Sequence, residues 1–298
     1  VGGEPERFGL SIDAYHRVNR RRRKRWPHGL LTGSTHDSKR SEDLRARLHV
    51  LSERPEQWRT RVERWARINR RFRSDGADGV NAPLPDGATE YLFYQILLGI
   101  WPLQPPDTDG HEELRRRVGD YMQKAVKEAK VHTAWTNANE AYEAALAGFV
   151  EAVLDPERNN AFFEDFLPFQ QQIARLGLFN ALSQTLLRLT VPGVPDIYQG
   201  NELWRFDLVD PDNRRPVDFA RRRALLDAYA APASDDAAGA RPPTDLDEAG
   251  AKLHLIRGAL QLRRDDPALF SDGDYQPLTV TGPHAERLCA FARTLHGK

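Results

Sequence analysis

Thr35, His36, Asp37 and Lys39 fall within five residues, in the stretch GSTHDSKRSED (Gly33–Asp43). A carboxylate beside an imidazole at the end of a strand can hold sugar hydroxyls and stabilise positive charge in a transition state. A cation two residues on would favour the ionised form of Asp37. The plainer reading is a helix-entry turn in which Asp or Ser caps the next helix. The residues alone leave both open. A hydrolase triad is weaker, because neither Ser34 nor Ser38 stands in a G-x-S-x-G elbow.

A second stretch, GVPDIYQGNE (Gly193–Glu202), sets Tyr198 and Glu202 among glycines and a stiffening Pro195. It suits either the lining of a sugar site or a buried strand with a tight exit. A third, HTAWTNANEAYE (His132–Glu143), offers Trp135 as a flat face for a sugar ring, or as core packing. Asn137 is placed to cap the helix that follows. A fourth, RRRRKR (Arg20–Arg25), invites nucleic acid. A charge run on a helix is more often a solvated face. Lys+Arg and Asp+Glu balance at 43 each, so net charge does not point to nucleic acid or to a membrane surface. No HExxH, P-loop or dinucleotide fingerprint is present, and no metal set or cofactor site stands out.

The elements that would position these residues are mostly helical. Ser11 starts a helix to about Trp26, and Leu30–Leu31 reads as a short buried strand. Ser41 opens the next helix, with Glu42 and Asp43 in its first turn. Pro55 starts another with the stripe Trp58, Val62, Trp65, Ile68 and Phe72. A turn-rich loop follows over 74–87, and Thr89 is placed to cap the buried helix 90–101. Further helices are expected over 112–130, 140–153, 161–176 and 180–190. Val194–Tyr198 reads as a strand running into the long polar loop 201–219, whose Trp204, Phe206 and Leu208 argue against disorder. Asp218 starts a helix, 230–245 reads as a linker, and a last helix covers 246–264. YQPLTV and RLCAFAR then read as two strands, too few for an independent sheet.

With 298 residues, 40% of them hydrophobic and 29% charged, the chain can bury a core unaided. Cys289 is the only cysteine, which excludes an internal disulfide and a Cys-built zinc site. A reducing, cytoplasmic setting is expected. No apolar run approaches the roughly 20 residues of a membrane span.

Taken together, WPHGLLTGSTHDSKRSEDLRARLHVLSE, KEAKVHTAWTNANEAYE and LTVPGVPDIYQGNELWRFDLVDPDNRRPVDF resemble the maltooligosyltrehalose synthases, glucosylmutases of the α-amylase superfamily (glycoside hydrolase family 13). The resemblance runs from about Arg7 to Arg293. It implies an α/β fold: the C-terminal portion of a (β/α)8 barrel, with Leu30–Gly33 and Val194–Tyr198 as its last two strands. A large helical insertion would lie between them, and the start of a C-terminal β-sandwich would follow. The implied divisions are 1–50 and 178–265 for the barrel segments, 51–177 for the insertion and 266–298 for the β domain.

The implied reaction is an intramolecular transglucosylation. It turns the reducing-end α-1,4 link of a maltooligosaccharide into an α,α-1,1 link. By resemblance Asp37 is the third carboxylate of the site, steadying the sugar at the point of cleavage, with His36 bonding the same sugar. Lys39, Trp135, Tyr198 and Glu202 are the further substrate-binding candidates. The family's nucleophilic Asp and acid/base Glu lie on earlier strands, and no segment here resembles those that carry them. The resemblance therefore implies a missing N-terminal part and an inactive isolated chain. Another α-glucan hydrolase of the superfamily, or a non-catalytic glucan-binding module, are the alternatives.

Overall fold

The structure, a computed structural model, describes residue 6 and residues 9–74, 83–210, 212–230 and 250–297. Most of the loop expected over 74–87, all but the first residue of the linker 230–245 and the expected start of the last helix lie outside the described residues.

Local capping chemistry fixes most helix starts. The Ser11 hydroxyl accepts the Ala14 N–H and opens α1 (Ile12–Arg25). Strand β1 (Leu30–Thr32) follows, then α2 (Glu42–Val50) after Ser41 and α3 (Pro55–Asn69), with proline in its first turn. Helix α4 (Gly87–Ile100) is capped by Asp86, not by Thr89. The Asp86 carboxylate accepts both the Ala88 and Thr89 N–H groups and also the Thr89 hydroxyl, so Thr89 serves as donor. Helices α5 (Thr108–Ala129) and α6 (Glu140–Val153) come next. Asn139 caps α6, while Asn137 instead pairs main chain with Ala134 across a tight turn.

The two helices expected over 161–190 are one, α7 (Asn160–Thr190). Gly177, in the gap between the two expected helices, is where Arg47 of α2 presses against α7. A Cβ there would come 2.6 Å from Arg47 Cγ and 2.9 Å from Arg47 Cα. The missing side chain serves the packing of two helices and does not end one.

Strand β2 (Val194–Asp196) pairs in parallel with β1, Leu30 opposite Val194 and Thr32 opposite Asp196. Gly193 enters β2 at φ +131°, where a Cβ would also strike Leu31 Cγ at 2.7 Å and Gly29 O at 2.9 Å. Leu30 is not buried as expected. It is 76% exposed, on a sheet face that no described residue covers. Helices α8 (Phe219–Ala230), α9 (Ala251–Asp265) and the short α10 (Pro267–Ser271) follow. The two expected C-terminal strands form an antiparallel pair, β3 (Asp274–Pro277) and β4 (Phe291–Thr294). This pair is steadied by α1, where His16 Nδ1 lies 2.7 Å from the buried Tyr275 hydroxyl. Main-chain carbonyls of Asp272 and Gly273 accept from Arg23.

The core centres on Trp65, fully buried. The rings of Tyr94, Phe166, Phe162, Trp58 and Phe169 lie 5.4–6.0 Å from it, mostly edge-on. Its indole N–H donates to Asp165 at 2.9 Å. The same apolar cluster takes in Leu44 of α2 and Leu208 and Val209 of the long loop. The helical body and the loop after β2 therefore share one core.

Candidate functional site

Hydroxyls, not a helix cap, shape the turn after β1. The Ser38 Oγ accepts the Thr35 N–H at 2.9 Å, and the Thr35 Oγ1 accepts the Asp37 N–H at 3.2 Å. Buried Ser34 accepts the Glu42 N–H, tying the turn to the first residue of α2. His36 and Asp37 are left at the tip with Nε2 and Oδ2 3.3 Å apart, and the Asp37 side chain is 80% exposed. Neither caps α2, so both are free to face a ligand.

Lys39 does not pair with Asp37. Its ammonium donates to Glu128 Oε2 at 2.8 Å, in the last turn of α5, and that hydrogen bond raises its pKa. The Glu128 carboxyl is held below its ordinary value by the same bond. Lys124, one turn earlier on α5, donates to the Asp210 main-chain carbonyl at 3.0 Å. Asp37, Lys39, Lys124, Glu128 and Asp210 border a cleft of about 840 Å³ that runs toward His49. Its walls thus come from the turn, α2, the end of α5 and the long loop. Mixed charges and an open mouth suit a polyhydroxylated ligand, which needs both donors and acceptors.

The long loop is fastened to this turn. Ser41 Oγ donates to the Arg205 carbonyl and accepts the Asp207 N–H, and the Val209 N–H donates to the Lys39 carbonyl. Tyr198, at the exit of β2, reaches the turn through one residue. Its hydroxyl donates to the Asn213 carbonyl at 3.5 Å, and the Asn213 amide donates to the His36 carbonyl at 2.8 Å. Glu202 is turned elsewhere. Its carboxylate meets Arg222 at 2.9 Å, and Arg222 also donates to the Gly200 carbonyl, so this pair braces α8 against the β2 exit. Trp135, on the connection between α5 and α6, is 63% exposed, and Lys127 Nζ lies 4.9 Å from its ring centroid. It is not core packing. Its tie to the turn is indirect, since Lys127 and Glu128 are successive residues of α5.

Beneath the turn lies an ionic cluster. Lys252 of α9, with no exposure, sits 2.9 Å from Glu42 Oε1 and 2.8 Å from Asp43 Oδ1. Arg188 of α7 meets Glu42 at 2.5 Å and 3.0 Å. Burial alone would raise the Glu42 carboxyl, but the Arg188 hydrogen bond and the Lys252 charge hold it down at about 2. For fully buried Asp43 burial wins, and its pKa is raised. Among the described residues, no group of three His, Cys, Asp or Glu side chains is placed to hold a metal ion. No helix among them is long and apolar enough to cross a membrane.

Two curated proteins, from two strains of Mycobacterium tuberculosis, are provisionally named maltooligosyl trehalose synthase. Each is 37% identical to this chain over 293 residues, 98% of this chain and 33% of its own length. The solved structure of maltooligosyltrehalose synthase from Arthrobacter ramosus superposes with a TM-score of 0.79 at 37% identity, over 98% of this chain and 34% of that one. A Sulfolobus tokodaii structure, described as a hypothetical maltooligosyl trehalose synthase, superposes with a TM-score of 0.76 at 30% identity, over 98% and 36%. The chain is related to the maltooligosyltrehalose synthases. It spans about a third of the length of the curated relatives it matches. No family model matches it.

Of the six candidate residues, His36, Asp37 and Lys39 come together in one turn, and Tyr198 reaches it through Asn213. Glu202 and Trp135 do not reach that turn. Sequence reading missed Asn213, Glu128 and Asp210. Asn213 and Asp210 lie in the quoted LVDPDNRRPVDF stretch, whose density of Asp, Asn and Arg was the available signal. Glu128 carried none, being one charge among many on α5.

Proposed function

We propose that this chain supplies the sugar-holding side of an active site that rearranges the reducing end of α-1,4-glucans, as in the maltooligosyltrehalose synthases. In that reaction the terminal C1–O4 link breaks and the freed glucose rejoins through its own C1, with no net consumption of water. Asp37 and His36 hold the sugar at the point of cleavage. Lys39, kept in place by Glu128, and Tyr198 border its neighbours, and Trp135 offers an outer platform. The observation that carries this reading is the exposed His36–Asp37 pair in the turn after β1, whose Asp37 borders a cleft walled by three other elements. The relatives match over nearly the whole chain.

Retention of configuration needs a nucleophile and an acid/base, two carboxyls about 5 Å apart. We assign both to parts of the synthases that this chain does not cover. The parallel β1–β2 pair is read as the last two strands of a (β/α)8 barrel. The helices between them are the insertion, and β3–β4 the start of a β domain. A cytoplasmic setting belongs to the same proposal.

The test is incubation of the purified chain with maltopentaose, following reducing ends and free glucose, together with binding by calorimetry. Binding without turnover is the expected result. Loss of reducing ends would place the missing carboxyl pair within this chain, and absence of binding would refute the proposal. Asp37→Ala is expected to weaken binding about ten- to a hundredfold, the worth of a hydrogen bond to a charged group. An unchanged dissociation constant would remove Asp37 from the site.

A further inference from the structure

We infer that Asn213 is a positioning residue that sets the direction of the His36–Asp37 pair. It is buried, at 4% exposure, and its side-chain amide is directed at main chain. Its Nδ2 donates to the main-chain carbonyl of His36 at 2.8 Å and lies 3.5 Å from that of Thr35. These are consecutive carbonyls at the tip of the turn. One amide that draws on both fixes the peptide planes between Thr35 and Asp37. Those planes decide where the imidazole and the carboxylate point.

Asn213 is itself held on a stiff platform. Its carbonyl lies 3.5 Å from the Tyr198 hydroxyl and 3.3 Å from Arg205 Nη2. Its neighbour Asp212 accepts from Arg117 Nε and Nη2 at 2.7 and 2.8 Å, and from the Leu208 N–H at 2.8 Å. Buried Asp207 joins Arg205 and Arg215 within the same loop. The Arg117–Asp212 pair brings α5 into the platform. A displacement of α5 or of the β2 exit therefore reaches the turn through Asn213.

Asn213→Asp tests this with almost no change of volume. It replaces the donor with an oxygen that repels both carbonyls. The first readout is the isotope-labelled chain in solution. The imidazole nitrogens of His36 and the amides of residues 35–38 are expected to shift, with the melting midpoint held. Asn213→Ala, which only deletes the donor, gives the same readout should the aspartate variant not fold. Signals of 35–38 left in place in the folded variant would overturn the inference. The second readout is maltopentaose binding, and this arm rests on the proposed function. Asn213→Ala is expected to weaken binding about tenfold in the parent. In the His36→Ala/Asp37→Ala background it should cost nothing more, because its effect passes through those two side chains. An equal loss in both backgrounds would show that Asn213 acts elsewhere and would likewise overturn the inference. Should the parent bind no maltopentaose, the proposed function falls, and the resonances of the turn still decide the role of Asn213.

Discussion

Lys252→Met is expected to destabilise the fold by about 3–5 kcal/mol at neutral pH, the usual cost of stranding buried charges. Lys252 has no exposure and bridges Glu42 and Asp43. Methionine fills the space but leaves Asp43, among the described residues, with the main-chain Arg205 N–H, while Glu42 keeps Arg188. The pH dependence identifies the cause. In the parent, Glu42 is held at about 2, below its ordinary 4.5, so its contribution is complete above 4.5 and fades as pH falls toward 2. Asp43, raised by burial, works in the opposite sense: its folded form takes up a proton more readily than the unfolded chain, which favours folding on acidification. Removing Lys252 carries Asp43 further above its ordinary value and lets Glu42 move back up toward its own. The deficit of the variant should therefore be largest near neutrality and shrink as pH falls through the raised Asp43 value. Urea unfolding at several pH values measures it. A deficit that does not change with pH would mean that packing, not charge, is what Lys252 supplies.

Trp65→Ala is expected to cost about 3–5 kcal/mol, the range for removing a large buried aromatic side chain. Five aromatic rings pack around this indole, from α3, α4 and α7, so no single neighbour can collapse into the space. Trp65→Phe separates the two parts of the effect. It keeps most of the ring area and deletes the N–H that Asp165 accepts, while Arg61 and Arg64 still face that carboxylate. Its cost should be clearly smaller than that of alanine. Equal urea midpoints for alanine and phenylalanine variants would show that the hydrogen bond, and not the ring, carries the stability.

What could be read from the sequence was chiefly local. Ser11 and Pro55 announce their helices because a cap or a fixed φ acts within a few residues. The short strands at Leu30 and Val194 stand out because glycine and proline bracket them. The exposed His36–Asp37 pair was visible as a cluster of residue types. Partners far along the chain were not legible. Lys252 and Asp43 are 209 residues apart, and Lys39 and Glu128 are 89 apart, so neither pairing leaves a periodic trace. For the same reason Glu202 looked free for a ligand, although Arg222 occupies it. The gap expected between helices 161–176 and 180–190 is instead continuous helix, because the helix that presses on Gly177 there is recruited from elsewhere in the chain. Asp86 took the capping role expected of Thr89 because its two carboxylate oxygens serve several donors where a hydroxyl serves fewer.

The unbroken run of α7 from Asn160 to Thr190 sets a phase relation between two distant parts of the molecule. Phe162, Phe166 and Phe169 at one end must face the aromatic core, while Arg188 at the other must face Glu42. Each residue of an α-helix advances the face by about 100°, so one residue gained or lost between these points would swing the far end by that angle. Seven residues bring the phase back to within about 20°, but lengthen the helix by about 10 Å. Loops around the fold can change length piecemeal; the distance from the aromatic core to β2 can change only in quanta of two turns.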